Sequence, residues 1–261
     1  MKPRSIQRYL TALRISIEEG GLDLLDTTAE EFNHAMDLMH DESGKSKVTL
    51  IGYQCGAQAF YRYHDLGIDP DDIHVYNDTS EPRHDERDMF TEEDVEALRR
   101  ACGESQLPTR NRALLELLIF TGQRIGALLT LKIGDIDIEE GYMYLNEEYD
   151  AENGGLKGAL DRGRKRPMFG ARKYVRDWIQ YHPEGDDPDA WLFIGDPSHW
   201  KTDPDDYWAK VSADHVLRRI GEAAEIDKPV NAHNFRHYCA TVLYRDYDLD
   251  RDTIRMLFGH K

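Results

Sequence analysis

The sequence predicts an α+β protein that is mainly helical and carries a small β-sheet. Apolar residues recur at the three- and four-residue spacing of amphipathic helices through residues 1–68 and again through residues 212–258. Between these parts, residues 132–145 alternate polar and apolar side chains around a Glu-Glu-Gly turn, which is typical of a β-hairpin. Helices therefore dominate, and the sheet is expected in the middle of the chain.

The first 76 residues are expected to form a small helical domain. The apolar stripe of its first helix consists of Ile6, Leu10, Leu13 and Ile17. Thr27 or Thr28, together with Glu31, resembles a capping box, which predicts the start of a second helix. A third helix is predicted from Ser46 to His64. Residues 77–88 combine many charges with a Glu-Pro pair and few apolar residues, so we interpret them as a linker.

Residues 89–261 are expected to form a second, larger domain. The run Thr91-Glu-Glu-Asp predicts a strongly capped helix. A helix from Arg112 to Thr121 is predicted to stop at Gly122. Another helix is predicted to begin near Arg124. The apolar run from Trp191 to Ile194 is interpreted as a strand.

The composition indicates a protein with an acidic surface. The chain has 50 acidic and 33 basic residues, a net charge of −17, and 22 arginines against 11 lysines. Because such surfaces stay hydrated in concentrated salt, we expect a halophilic, haloarchaeal source, with an ordinary acidic protein as the alternative. No apolar run approaches the roughly 20 residues of a membrane span, and the N-terminus does not resemble a secretory signal. We therefore expect a cytoplasmic protein without a membrane partner.

The cysteine pattern indicates neither a disulfide framework nor a zinc site. The three cysteines, which are far apart in sequence, are Cys55, Cys102 and Cys239. One metal alternative comes from His233 and His237, because two histidines four residues apart on a helix can bind zinc in a hydrolase. That motif usually has glutamate beside the first histidine, and Asn234 occupies this place.

The charge is reversed in one segment, residues 156–176. This segment holds one acid, Asp161, and eight basic residues, which gives a local charge of +7. The basic residues are Lys157, Arg162, Arg164, Lys165, Arg166, Arg172, Lys173 and Arg176. A concentrated basic segment is typical of a surface that contacts nucleic-acid phosphates, and a solvated loop face is the alternative.

Three short motifs contain residues that suit a phosphate site. In Thr121-Gly-Gln-Arg124, an arginine stands at a predicted helix start, where backbone N–H groups also favour an anion. In His233-Asn-Phe-Arg236-His237, residues three and four apart share one helix face. The third motif is Gly259-His260.

The chain resembles the tyrosine recombinase, or phage integrase, family, because Thr-Gly-x-Arg, a basic hairpin segment, His-x-x-Arg-His and Gly-His occur in this order behind a helical domain. The resemblance implies a core-binding DNA-binding domain at 1–76 and a catalytic domain of the DNA breaking-rejoining fold at 89–261, which together clamp DNA. The implied catalytic residues are Arg124, Lys157, His233, Arg236 and His260. Lys165 competes with Lys157 as the hairpin lysine.

The same resemblance implies the reaction. A tyrosine hydroxyl attacks a DNA phosphodiester and forms a 3′-phosphotyrosyl intermediate, which later reverses on a new strand in site-specific recombination or integration. The arginines would bind the phosphate oxygens and the histidine and lysine would transfer protons, so neither a cofactor nor a metal is expected. The expected partners are double-stranded DNA and further copies of the chain, as a dimer to tetramer on DNA. The expected DNA-binding residues are Arg162, Arg164, Lys165 and Arg166.

Two features depart from the family pattern. Ala127 occupies the place where an acidic residue often follows the first arginine. The nucleophilic tyrosine of the family comes shortly after the Gly-His box, whereas the sequence stops at Lys261, so we expect a recombinase truncated before this tyrosine. The alternative is a non-cleaving DNA-binding protein, or a truncated recombinase that occupies sites or takes a tyrosine in trans. Tyr238, Tyr244 and Tyr247 are interpreted as packing or surface residues.

Overall fold

The chain divides into two compact units, Met1–Arg83 and His84–Lys261. The computed structural model describes residues 3–64, 66–77, 89–145, 165–196, 198 and 206–258, with side chains from residue 6 onward. Within these ranges, no helix is both long enough and apolar enough to cross a membrane. The fold is α+β with helices dominant, as the sequence predicts.

Three helices and a short 3₁₀ turn form the N-terminal unit. They are α1 (Pro3–Glu18), α2 (Ala29–Asp41), α3 (Lys47–Tyr63) and the 3₁₀ helix Pro70–Asp72. Thr28 precedes α2 with the predicted capping box: its hydroxyl accepts from the N–H of Glu31, and the Glu31 carboxylate accepts from the N–H of Thr28 at 2.8 Å. Phe32, Met36 and Leu50 are fully buried at the centre of this unit's core.

Helix α1 packs against α3 through the face that carries Ala12 and Ser16. Gly56 of α3 approaches so closely that an added Cβ would lie 3.3 Å from the Ala12 Cβ, and Ala12, Leu13 and Ser16 are buried. The other three residues of the predicted apolar stripe are exposed, and these are Ile6, Leu10 and Ile17. The helix itself is confirmed, but its packing face is set by the close approach of two backbones, which small residues permit.

The residues after the 3₁₀ turn pack back onto the N-terminal unit. Ile73 is 1% exposed. The N–H of Tyr76 donates to Gln54 Oε1 at 3.2 Å, and the Tyr76 hydroxyl donates to Asp37 at 2.5 Å. Burial and the hydrogen bond to Asp37 raise the pKa of Tyr76, so its hydroxyl remains a donor at neutral pH. The segment after the 3₁₀ turn is therefore held on the N-terminal unit by burial and hydrogen bonds as far as Tyr76.

The described part of the C-terminal unit contains seven α-helices. They are α4 (Glu92–Gly103), α5 (Pro108–Thr121), α6 (Ile125–Leu129), α7 (Arg172–Tyr181), α8 (Lys210–Ala223), α9 (Ala232–Arg245) and α10 (Arg251–Leu257). Thr91 caps α4 through the predicted capping box, in which Asp94 is the reciprocal partner. Helix α5 is apolar on nearly every side and contacts α4, α7 and α9, so it forms the centre of the unit.

Three short strands form an antiparallel sheet in the order β1-β2-β3. The strands are β1 (Ile136–Asp137), β2 (Tyr142–Tyr144) and β3 (Lys165–Pro167). Met143 of β2 is fully buried and pairs with Ile136 on one side and Arg166 on the other. The predicted hairpin is confirmed but shorter than expected, because Ile133–Asp135 winds into a 3₁₀ helix.

The strand predicted from Trp191 to Ile194 is wrong. Trp191 forms only an isolated bridge with Lys132. The pairing does not extend because the opposite segment enters the 3₁₀ helix directly after Lys132. Leu192 and Phe193 are fully buried in the main core, so this apolar run reflects burial and not a strand ladder.

A buried carboxylate connects the helices around α5. Glu116 is fully buried; Arg99 of α4 donates to its two oxygens at 2.9 and 2.8 Å, and Arg112 donates to Oε1 at 2.6 Å. Arg112 also donates to the backbone carbonyl of Arg99 at 3.1 Å and to the hydroxyl of Tyr174 on α7 at 3.2 Å. This network therefore links α4, α5 and α7 through charge-assisted hydrogen bonds.

Glu116→Gln removes the negative charge between the two arginines and keeps the side-chain volume. We expect the free energy of unfolding to fall by about 3 kcal/mol, the lower end for breaking a buried ion pair, because both arginines keep some solvent contact. Urea unfolding followed by tryptophan fluorescence measures this change, since all four tryptophans belong to the C-terminal unit. Glu139→Gln, at an exposed turn, is the matched control, and equal effects of the two substitutions would contradict the role of Glu116.

Candidate active site

The Thr-Gly-x-Arg motif forms the turn between α5 and α6. Gly122 ends α5 with a φ of +57°, a left-handed conformation that favours glycine, and its N–H donates to Leu118 O. Arg124 occupies the cap position before α6 and is exposed. The glycine thus stops one helix as predicted and lets the next begin with the arginine at its start.

The first two turns of α9 carry the two histidines of the second motif. Asn231 caps this helix by accepting from the N–H groups of His233 and Asn234 at 2.9 and 3.0 Å. His233 is exposed and His237 is half-buried one turn later. Their rings meet edge to face with centroids 4.4 Å apart. Phe235, fully buried, points to the opposite side and holds α9 in the core.

Arg236 connects the second motif to the first motif and to Phe258 through its guanidinium. This side chain belongs to α9 and is only 7% exposed. Its Nη1 donates to the carbonyl of Gly122 at 2.6 Å, and its Nη2 donates to the carbonyl of Phe258 at 3.0 Å. The guanidinium also lies 4.4 Å from the centroid of the Phe258 ring. One arginine therefore holds together the turn before Arg124 and the residue directly before Gly259-His260.

Two further contacts fasten the end of α10 to this turn. Gln123 is 4% exposed and its Nε2 donates to the carbonyl of Leu257 at 2.9 Å. The ring of Phe258 lies where a Cβ on Gly122 would be, and it packs with Cys239 and Ile254 in a small apolar cluster. The end of α10, up to Phe258, is thus held by hydrogen bonds to backbone carbonyls and by one aromatic ring.

The two motif arginines form a cationic site. Burial, and then the positive charge of Arg124, lower the pKa of Arg236 to about 10. The guanidinium still carries its charge at neutral pH, but two neighbouring cations disfavour each other when no anion is present. An anion that contacts both guanidinium groups would relieve this repulsion and gain forked hydrogen bonds. The site therefore has the electrostatic character of a phosphate pocket.

A model of the phage integrase family matches residues 88–261, which is more than half of the chain. The chain belongs to this family. The family resemblance drawn from the ordered motifs is thus confirmed, and two of these motifs are the ones that Arg236 connects.

Relatives of this integrase include two proteins named as tyrosine recombinases. Tyrosine recombinase XerA of Thermococcus kodakarensis is 28% identical over 260 residues, which cover 99% of this chain and 81% of the relative. Tyrosine recombinase XerD of Listeria innocua is 24% identical over 233 residues, which cover 84% of this chain and 70% of the relative.

Solved structures share the fold of this integrase. A lambda integrase dimer bound to a COC′ core site matches with a TM-score of 0.68 and 18% identity, covering 100% of this chain and 69% of that chain. XerH recombinase bound to difH substrate matches with a TM-score of 0.64 and 18% identity, covering 98% and 72%. At these identities the likeness concerns the fold.

The structure brings Arg124, His233 and Arg236 of the integrase onto neighbouring parts of one site. Lys157, Arg162, Arg164 and His260 lie outside the described residues. Of the remaining basic residues expected to contact DNA, Lys165 is exposed at the start of β3, whereas Arg166 is 6% exposed on the opposite, buried side of that strand. Burial also lowers the pKa of Arg166.

Sequence reasoning missed Gln123 and Phe258 as parts of the integrase site. Gln123 fills the variable position of Thr-Gly-x-Arg, and Phe258 directly precedes the Gly-His box. Ala127, which stands where the family often has an acid, is 3% exposed in the apolar core. Among the described residues, no group of three or more histidine, cysteine or acidic side chains could hold a metal ion.

The three tyrosines of the interval between the second and third motifs differ in exposure. Tyr238 is half-buried against the main core, and burial raises its pKa. Tyr244 is 56% exposed and Tyr247 is 69% exposed. A raised pKa makes the Tyr238 hydroxyl harder to deprotonate, which is the opposite of what a nucleophile needs.

Gly122→Ala is expected to loosen α10 from the site. The new methyl group would meet the Phe258 ring at 2.5 Å, and the left-handed φ adds strain of about 1–2 kcal/mol. Because about 1.4 kcal/mol corresponds to a factor of ten, amide hydrogens of α10 should exchange at least about tenfold faster. Hydrogen exchange measured by mass spectrometry on peptides from 246–258 tests this.

Gly103→Ala is the matched control, because no atom lies within 4 Å of a Cβ added there and its φ is ordinary. Exchange in α4 should change little in the Gly122→Ala variant. If α10 exchanged at the same rate in both variants, the packing of Phe258 on Gly122 would not be what holds this helix.

Proposed function

We propose that the chain acts in site-specific DNA recombination through a 3′-phosphotyrosyl intermediate and supplies the phosphate-binding pocket of that reaction. The observation that carries the proposal is the pair of hydrogen bonds from Arg236 to the carbonyls of Gly122 and Phe258. They connect the first two motifs and Phe258, the residue before the third motif, at one cationic site. The proposed activity also agrees with the names of the relatives, which are tyrosine recombinases.

Arg124 and Arg236 are proposed to bind the non-bridging oxygens of the scissile phosphate. Arg124 is exposed and can follow the phosphate, whereas Arg236 is fixed by backbone carbonyls on two sides. A guanidinium that is held in place before the reaction needs little reorganisation when negative charge develops on the phosphate. The buried arginine would therefore orient the phosphate, and the exposed one would complete its binding.

The proton transfers are assigned to His233 and to the hairpin lysine, and a hydrogen bond to the phosphate is assigned to His260. The tyrosine oxygen forms a bond to phosphorus while the bond from phosphorus to the 5′-oxygen breaks. His233 accepts the tyrosine proton, and Lys157 or Lys165 donates a proton to the departing 5′-oxygen. His260 donates a hydrogen bond to a phosphate oxygen. The phosphodiester is conserved as a phosphotyrosyl bond, so the step balances without a cofactor.

We propose that the nucleophilic tyrosine is none of Tyr238, Tyr244 and Tyr247 and that another subunit can supply it. Tyr238 is disfavoured by its raised pKa. Tyr244 and Tyr247 are exposed on the far part of α9 and after it, away from the first turn that carries His233. Supply in trans requires at least two copies of the chain on one DNA.

DNA binding is proposed for both units, with the basic segment as the main contact of the catalytic one. The local charge of +7 in residues 156–176 contrasts with the net charge of −17, and phosphate contacts need such a positive surface. Lambda integrase has been solved as a dimer on a core site and as a tetramer on a Holliday junction. We propose that this chain also forms dimers to tetramers on double-stranded DNA.

A suicide DNA substrate, which traps the covalent intermediate, tests the proposed activity. The protein expressed from its complete reading frame should form an adduct that survives denaturing electrophoresis. Arg124→Ala should slow adduct formation by about 100-fold or more, because it removes a charged donor to the transition state. Arg218→Ala, at an exposed arginine of α8, is the control and should leave the rate unchanged.

The assay separates the competing functions. A gel shift without an adduct would support a non-cleaving DNA-binding protein. An adduct that forms only when a second, tyrosine-bearing copy is mixed with the chain would support a nucleophile in trans. If neither an adduct nor a gel shift were found on DNA from the native integration region, the proposed function would be wrong.

A further inference from the structure

Lys165 is held against two tyrosine rings on one face of the sheet. Its ammonium nitrogen lies 3.9 Å from the ring centroid of Tyr142 and 6.0 Å from that of Tyr144. The register pairs Lys165 directly with Tyr144, and Tyr142 is the diagonal neighbour. Residues two apart on a strand point to the same side, so both rings and the ammonium share one face.

The face that carries Lys165 is the outer face of the sheet. Met143 and Arg166 point to the other face and are buried. Lys165 is exposed, and the two tyrosines are half-buried. The ammonium is therefore accessible from solvent even though the rings beneath it restrict its position.

Aromatic rings differ from carboxylates as partners of a lysine. Lys132, Lys210 and Lys228 each pair with an aspartate. In the part of the chain that the structure describes, the ammonium of Lys165 instead makes cation–π contacts with the rings of Tyr142 and Tyr144. A ring attracts a cation through its quadrupole without neutralising the charge. The ammonium thus keeps its full attraction for an anion.

We propose that Tyr142 and Tyr144 are positioning residues that hold the Lys165 ammonium for contact with a DNA backbone phosphate. This inference rests on the proposed function of the chain. A lysine side chain has four rotatable carbon–carbon bonds, and fixing it on binding costs conformational entropy. The two rings would restrict the lysine in the free protein, so that less conformational entropy is lost when DNA binds. If the lysine stem only covered the rings from water, the tyrosines would have no effect on DNA binding.

The geometry can be tested in the free protein by NMR of lysines whose amines carry ¹³C-methyl groups, a change that keeps their positive charge. The signal of Lys165, assigned by its loss in Lys165→Gln, should be shifted upfield by the ring currents of the tyrosines. Tyr142→Leu combined with Tyr144→Leu should move it to the position of exposed lysines, and Tyr142→Phe should keep it shifted. Tyr181→Leu, at an exposed tyrosine of α7, should have no effect.

The function can be tested by DNA binding. Lys165→Gln should reduce the slope of log affinity against log salt by about 0.9, the amount for one phosphate contact. Tyr142→Leu should weaken binding by about two- to fivefold, the range of an exposed cation–π interaction, and Tyr142→Phe should bind like the wild type. In the Lys165→Gln background, Tyr142→Leu should have no further effect, because the double-mutant cycle isolates the coupling.

Fluorinated phenylalanine at position 142 avoids any effect of leucine on folding. Fluorination weakens the negative face of the ring and keeps its shape, so DNA affinity should fall stepwise with the number of fluorine atoms. An unshifted Lys165 signal in the wild type would overturn the inference. The inference would also be overturned if Tyr142→Leu weakened DNA binding equally in the wild type and in Lys165→Gln. A shifted Lys165 signal in a protein that binds no DNA would instead contradict the proposed function, so the two failures can be distinguished.

Discussion

The guanidinium of Arg236 is the interaction on which the candidate site depends. It donates to the carbonyl that ends α5 and to the carbonyl that ends α10, so one planar group fixes the distance between two helix ends that are far apart in sequence. A guanidinium can do this because its five N–H donors point in fixed directions in one plane. A lysine in its place would have the charge but not the geometry. The arrangement of the first two motifs and of Phe258 therefore depends on an arginine at this one position.

Burying Arg236 is costly in the absence of an anion. Burial and the charge of Arg124 lower its pKa to about 10, which means that its charged form is less stable here than in water. The two carbonyls and the Phe258 ring offset part of this cost. A core of the same size could be more stable with an apolar residue at this position. The retained charge is explained by the proposed ligand, since a phosphate between Arg124 and Arg236 would turn their repulsion into attraction.

The sequence was sufficient where local chemistry decides the structure. Thr28 and Thr91 cap their helices, and Gly122 ends α5, because capping and left-handed backbone depend on a few adjacent residues. The motifs also indicated Arg124, His233 and Arg236 as members of one site, although their catalytic roles stay predictions. The contributions of Gln123 and Phe258 were not predictable, because hydrogen bonds to distant backbone carbonyls leave no pattern in the sequence. For the same reason, the packing face of α1 and the bridge at Trp191 depended on close approach of segments that the sequence does not place together.

A halophilic source stays a prediction, and it would place a physical constraint on how the chain could bind the DNA proposed as its partner. Near 1 M salt the Debye length is about 3 Å, so the +7 segment would attract DNA only at contact distance. Counterion release would also add little affinity, because the bulk salt concentration is already high. Binding would then rely on contacts whose geometry is set in advance, such as the buried guanidinium of Arg236 and a lysine held on tyrosine rings. On this argument, a chain of net charge −17 can still bind DNA, because short-range, preorganised contacts replace the long-range field that its acidic surface opposes.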